Sequence, residues 1–364
     1  MSEPVLRRTL SGRAVVATHL GASRFHSSLA SVLSLCGVVS LLLLATAPVA
    51  VQAATDTQTR YSIESAKAVS TLLLDITQAG ERLVAAGDRG HILYSDDAGR
   101  SWTQAKVPTR QLLTAVDFAD AKHGWAVGHD ALVLATTDGG ESWTVQYEER
   151  EREAPLLDVW FENERHGIAV GAYGALIETT DGGQSWDDIS ERLDNEDGFH
   201  LNAIAHIEGS GLFIVGEMGG MFRSRDLGQT WETVESPYQG SFFGVVGGSE
   251  PGVVIAFGLR GHLFRSDDFG DSWNPIELSN GNGYALESGL ADGSLLNDGR
   301  IVVVGHGGVV LTSSDQGRTF KVYGRPDRRS LSGVTSASEG NLILVGQGGV
   351  RIASPSGADL APQQ

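Results

Sequence analysis

The chain has 364 residues, with 45 acidic and 27 basic side chains, a net charge of −18, 47 glycines and one cysteine. So acidic a surface argues against nucleic acid and bulk anionic membrane as partners. A lone cysteine excludes a disulfide framework, so the fold must rest on a packed core, for which this length is ample.

Residues 1–53 read as an export signal. Arg7, Arg8, Arg13 and Arg24 precede an apolar run from Leu29 to about Val51, and Val51 and Ala53 suit signal-peptidase cleavage after Ala53. The run approaches the length of a membrane span, which leaves an uncleaved anchor as the alternative. Cys36 lies inside it, preceded by Leu35 where a lipid-attachment site needs a small residue. The leader holds four arginines and Glu3, so cleavage leaves 311 residues, free of cysteine, at charge −21. The expected destination is the periplasm, or the thylakoid lumen in a photosynthetic source. Residues 54–60 read as a linker, 61–354 as one domain and 355–364 as a polar tail.

From residue 95 onward one phrase recurs six times: "SDDAGRSW", "TTDGGESW", "TTDGGQSW", "SRDLGQTW", "SDDFGDSW" and "SSDQGRTF". Its final aromatics, Trp102, Trp143, Trp186, Trp231, Trp273 and Phe320, are 41–47 residues apart. A Gly-x-x-Gly-like turn precedes each copy, and a seventh, "GQGG" at Gly346, has none after it. Such a period marks a repeated structural unit. The second unit divides into "LTAVDF", "GWAVG", "LVLAT" and "WTVQ", each rich in strand formers and separated by turn residues. Four antiparallel strands in each of seven units predict an all-β, seven-bladed β-propeller. The last unit lacks its fourth strand, and the segment around Tyr61 is expected to supply it, closing the ring with an N-terminal strand in the last blade.

Within the phrase, the Asp side chain (Asp97, Asp138, Asp181, Asp226, Asp268, Asp315) is placed to accept hydrogen bonds from backbone N–H groups ahead of it. The glycine (Gly99, Gly140, Gly183, Gly228, Gly270, Gly317) supplies positive φ without steric cost. Six dispersed aspartates do not converge as metal ligands or general acids, because equivalent positions lie far apart around a ring. The phrase is therefore read as structural.

The phrase is the Asp-box, also seen in sialidases, other glycoside hydrolases and sortilin-type receptors. The fuller forms "HGWAVGHDALVLATTDGGESW" and "HGIAVGAYGALIETTDGGQSW" resemble the photosystem II stability and assembly factor family of seven-bladed propellers, over about residues 61–354. That resemblance implies a non-enzymatic, exported scaffold. In photosynthetic organisms such a factor is lumenal and binds a newly made reaction-centre subunit during assembly; bacteria without photosynthesis also have members. It also implies an arginine-rich patch for partner recognition. Strand order puts the turns between second and third strands on the same face as the connectors between blades. Arg89 and Arg260 fall in such turns, and Arg110, Arg325, Arg328 and Arg329 in connectors, so these six are the expected partner-binding residues. Arginine suits the role because its planar donors engage carboxylates and stack on aromatics. Arg223 and Arg265, just before two boxes, read as surface strand residues or a minor basic spot on the other face. His91, His123, His166 and His262 match between blades, which separates them and argues against a shared metal site.

The expected partner is a membrane protein or complex at the envelope, engaged by a monomer without cofactor, metal or small-molecule substrate. Two alternatives stand beside this reading: an Asp-box glycoside hydrolase, whose sialidase landmarks are missing from the sequence, and an accessory subunit of an envelope transport system.

Overall fold

The computed structural model describes residues 59–360. The expected export signal, residues 54–58 of the expected linker and residues 361–364 of the expected tail lie outside them. Repeated short runs of Val, Ile, Leu and aromatic residues form 27 strands in seven antiparallel sheets among the described residues. Six sheets have four strands in chain order, here called A to D from the axis outward. In blade two these are Leu113–Phe118, Gly124–Gly128, Leu132–Thr136 and Thr144–Tyr147, within one residue of the expected boundaries.

Each blade presents two apolar faces, and seven separate hydrophobic clusters fill the seven seams between neighbours. In one, Val84, Ala86 and Ile92 of blade one pack on Leu113, Val116 and Ala126 of blade two. In the next, Trp125 and Phe161 stack with ring centroids 3.4 Å apart and planes 4° from parallel. The B strands are covered on both faces. They therefore read as unbroken apolar runs such as "GWAVG", buried throughout, instead of alternating.

Closure differs from the expectation. Blade seven has three strands, Leu331–Ser336, Leu342–Gly346 and Arg351–Ala353, and the Tyr61 segment does not join them. That segment lies along blade one instead. The Ser62 N–H donates to the Val107 carbonyl (2.8 Å), Arg110 Nε to the Tyr61 carbonyl (2.8 Å) and the Ser65 N–H to Gln104 Oε1 (2.9 Å). The ring closes by packing of Ile343 and Val345 on Leu73, Ile76, Leu83 and Ala85, and by the Ser332 hydroxyl donating to the Leu73 carbonyl at 2.6 Å. The outer edge of blade seven is taken by the chain's own tail. The Ser354 N–H donates to the Ala358 carbonyl (2.8 Å), and Asp359 bridges to Ala353. The cause is Arg325, whose buried guanidinium must find acceptors and binds the Gly357 carbonyl (2.8 Å) and the Asp359 carboxylate.

Two repeated devices fix the loops. The first glycine of each Gly-x-x-Gly-like turn is required by close approach. A Cβ at Gly87, Gly128, Gly171, Gly216, Gly258, Gly305 or Gly346 would lie 2.2–2.4 Å from the carbonyl oxygen preceding strand A of the same blade. The next N–H donates to that same carbonyl in all seven blades, Asp88 to Leu72 and Leu259 to Ser241 among them, at 2.8–3.1 Å. These bonds hold turns and connectors on one face.

The Asp-box is a self-contained knot. In blade one the Ser95 hydroxyl donates to Asp97 (2.8 Å) and accepts from the Gly99 N–H (2.9 Å), while Asp97 accepts from the Ser101 N–H (2.8 Å) and hydroxyl (2.6 Å). The pattern recurs at all five other boxes, for example through Thr136, Asp138, Gly140 and Ser142. The box glycines have φ of +75° to +97° and are also pressed against the preceding blade. A Cβ at Gly99 would meet Ile343 of blade seven at 2.6 Å, and one at Gly228 would meet Ile168 at 2.4 Å.

Candidate partner-binding face

The structure divides the six expected arginines. Arg89 and Arg260 project from the B–C turns of blades one and five, exposed, and Arg328 and Arg329 are exposed on the connector from blade six to seven. Among the described residues Arg260, Arg328 and Arg329 form no ion pair, and Arg89 meets only its neighbour Asp88, at 3.4 Å with its own side chain 74% exposed. Arg110 is exposed but holds the N-terminal segment through Tyr61. Arg325 leaves the set: its side chain is 1% exposed and bound to the tail.

One residue that the sequence reading missed joins the face. Arg351 and Arg329 converge over the turn of blade seven, where a Cβ at Gly348 would lie 2.3 Å from Arg329 Nη1 and 3.0 Å from Arg351 Nη2. Arg351 also approaches Asp327 at 3.7 Å. Its signal was its place directly after the seventh glycine turn, "GQGGVR". Beside this group Arg325, Arg328, Tyr323, Asn280 and Asn282 line a cleft of about 570 Å³.

On the opposite face, where Arg100, Arg165, Arg225 and Arg318 are exposed, five further arginines are committed to the fold. Each reaches a loop carbonyl of the following blade: Arg82 to Gly139 (3.0 Å), Arg192 to Gly228 (3.0 Å), Arg223 to Phe269 (2.9 Å), Arg265 to Gln316 (2.6 Å) and Arg300 to Gly340 (2.6 Å). Gln146 serves the same purpose between blades two and three, at 2.8 Å from the Gly182 carbonyl. Arg223 and Arg265 are therefore inter-blade latches, each also ion-paired, and Arg265 is buried. The matched histidines sit in separate blades with partners of their own. His123 meets Asp120 at 2.8 Å, His166 lies between Glu162 and Glu178, and His91 meets Thr71 at 3.1 Å.

The axis holds four carboxylates. Asp75, Asp158 and Asp292 occupy the third position of strand A in blades one, three and six, after "LL" or "LA", and Asp117 the fifth in blade two. Each accepts an N–H from the next blade: Val116 to Asp75 (2.8 Å), Phe161 to Asp117 (2.8 Å), Ile204 to Asp158 (2.9 Å) and Val334 to Asp292 (3.1 Å). They keep some surface on the axial channel, but the surrounding strands strip most of their water. That desolvation raises Asp75 to about 6 and, reinforced by repulsion from neighbouring carboxylates, raises Asp117 to about 6, Asp158 to about 8, and Asp292 well above the usual carboxylate range. Asp158 and Asp292 line an axial cavity of about 350 Å³. These groups are positioned as staples between blades.

Comparison with known proteins places this geometry. The family model described as "Photosynthesis system II assembly factor YCF48" matches residues 97–155 and 146–276. A photosystem II stability/assembly factor of Cyanidioschyzon merolae is 46% identical over 61 residues, 16% of this chain and 14% of that protein. A photosystem II assembly protein Ycf48 of Synechococcus sp. (strain JA-3-3Ab) is 41% identical over 140 residues, 37% of this chain and 41% of that protein. These matches thus span less than half of each relative. Among solved structures, YCF48 bound to a D1 peptide aligns with TM-score 0.61 at 19% identity, covering 82% of this chain and 97% of that one. A streptogramin B lyase aligns with TM-score 0.64 at 12% identity, covering 80% and 95%. At such identities the structural likenesses show the propeller alone, which assembly factors and an enzyme share. The sequence matches go further: through its repeated boxes and turns, the chain belongs to the photosynthesis system II assembly factor family.

Proposed function

We propose that the chain is an exported, non-enzymatic scaffold that assists assembly of a membrane protein complex by holding an acidic segment of one subunit on its turn face. The observation that carries this is the group of exposed arginines on the turn face, with Arg329 and Arg351 converging over one turn. Box-face arginines such as Arg82, Arg223 and Arg265 are spent on latches, while Arg89, Arg260, Arg328 and Arg329 stand exposed and ready for a carboxylate. A relative of the same fold holds a D1 peptide, which supports a polypeptide partner. With the rest of the surface acidic, long-range attraction is weak and recognition must be local. Export to the periplasm or a thylakoid lumen is the reading of the basic and apolar leader.

Titration with a fluorescent D1 peptide tests the proposal. Binding is expected, and affinity should fall as salt rises from low to physiological ionic strength. No binding, or binding indifferent to salt, contradicts it.

A further inference from the structure

The turn face carries a feature that the arginines do not explain. The third residue of each Gly-x-x-Gly-like turn is left-handed, with φ from +52° to +85° around the ring. Blades six and seven fill it with Gly307 and Gly348, which adopt that conformation without strain. Blades three and four fill it with Tyr173 (φ +57°) and Met218 (φ +52°), 68% and 58% exposed. Arg89, Asp130 and Arg260 hold the same position in blades one, two and five, so of the seven only Tyr173 and Met218 place a large apolar side chain there, where it adds little to the fold.

Their surroundings extend the same character. The His200 ring lies edge-on to Tyr173 at 5.1 Å, and the His200 N–H donates to the Glu217 carboxylate at 3.2 Å, directly before Met218. Phe199 and Leu259, also exposed, lie on the connector into blade four and the turn of blade five. Arg260 follows Leu259 in that turn, exposed and outside any ion pair among the described residues.

We infer that Tyr173, Phe199, Met218 and Leu259 form an apolar docking strip continuous with the arginine face, for a polypeptide segment that carries apolar side chains beside carboxylates. Charge selects this occupant: the strip runs into Arg260, which favours an acidic neighbour, while a second copy of the chain would bring −18. The inference rests on the proposed function and specifies the partner's chemistry.

Two fluorescein-labelled twelve-residue peptides of equal charge test it on the full chain, one alternating Leu and Glu, the other Ser and Glu. The Leu–Glu peptide should bind at least tenfold tighter. Tyr173→Gly combined with Met218→Gly should abolish that preference without lowering the melting temperature, because glycine relieves the positive φ. Equal binding of both peptides by the natural chain overturns the strip. So does a preference that survives the double change, or a double variant that melts lower. Arg89→Glu with Arg329→Glu should weaken both peptides together; if it leaves both unchanged, the arginine reading fails while the Leu preference still reports on the strip. No binding of either peptide overturns both.

Discussion

At the scale of single residues, the turn at 258–261 shows how two neighbours obey different constraints. Gly258 has extended backbone that any residue adopts, yet a Cβ there would sit 2.3 Å from the Ser241 carbonyl oxygen. Arg260, two residues on, has φ +56°, which favours glycine, and is not glycine. Gly258→Ala is therefore expected to cost about 2–4 kcal/mol in urea unfolding, because backbone must move. A cost below about 0.5 kcal/mol would show that the turn yields easily. The need for glycine at the first position was legible in the repeat. Its cause was not, because the carbonyl it avoids lies 17 residues earlier in the chain.

At the scale of elements, strands and boxes were readable because their information is local: apolar runs, turn residues and hydroxyls within a few positions. What joins the blades was not. Arg265 finds the Gln316 carbonyl 51 residues away and Arg325 the Gly357 carbonyl 32 away, so a sequence shows each as one more loop or strand arginine. For the same reason the sequence points to Tyr61 for the missing strand of blade seven, whereas the polar tail satisfies Arg325 and occupies that edge. The tail is thus the more important terminus. Truncation after Ser354 strands the Arg325 guanidinium without Gly357 and Asp359, and should lower the melting temperature more than deletion of residues 54–65. The reverse order in thermal melts would restore the N-terminal strand as the closing element.

At the scale of the whole molecule, the axial carboxylates give the ring a pH dependence opposite to ordinary acid denaturation. An unfolded aspartate titrates near ~3.9, whereas folding raises Asp75 and Asp117 to about 6 and Asp158 to about 8 through burial. The folded ring binds more protons across that window. Its stabilisation is complete below the unfolded value and is lost as pH rises through the folded ones. The boxes run the other way. The Ser101 hydroxyl and amide, with the Ser95 hydroxyl, hold Asp97 at about 2, so its contribution is lost only as pH falls through that value. Between pH 5 and 8 the axial groups dominate the slope: the urea midpoint should rise on acidification, and Asp158→Asn should flatten the rise. A midpoint that falls from pH 8 to 5 would show that these carboxyls stay ionised.

If the proposed turn face recognises the partner, the two faces will respond differently to the same charge reversal in one binding titration. Arg89→Glu with Arg329→Glu alters the turn face, and Arg100→Glu with Arg165→Glu makes the same charge change at exposed positions on the box face. With a D1 peptide as ligand and thermal melts as the folding control, the first pair should weaken binding at least tenfold, about 1.4 kcal/mol, and the second should change it less than twofold. Binding that survives the first pair and is lost with the second would place recognition on the box face and contradict the account.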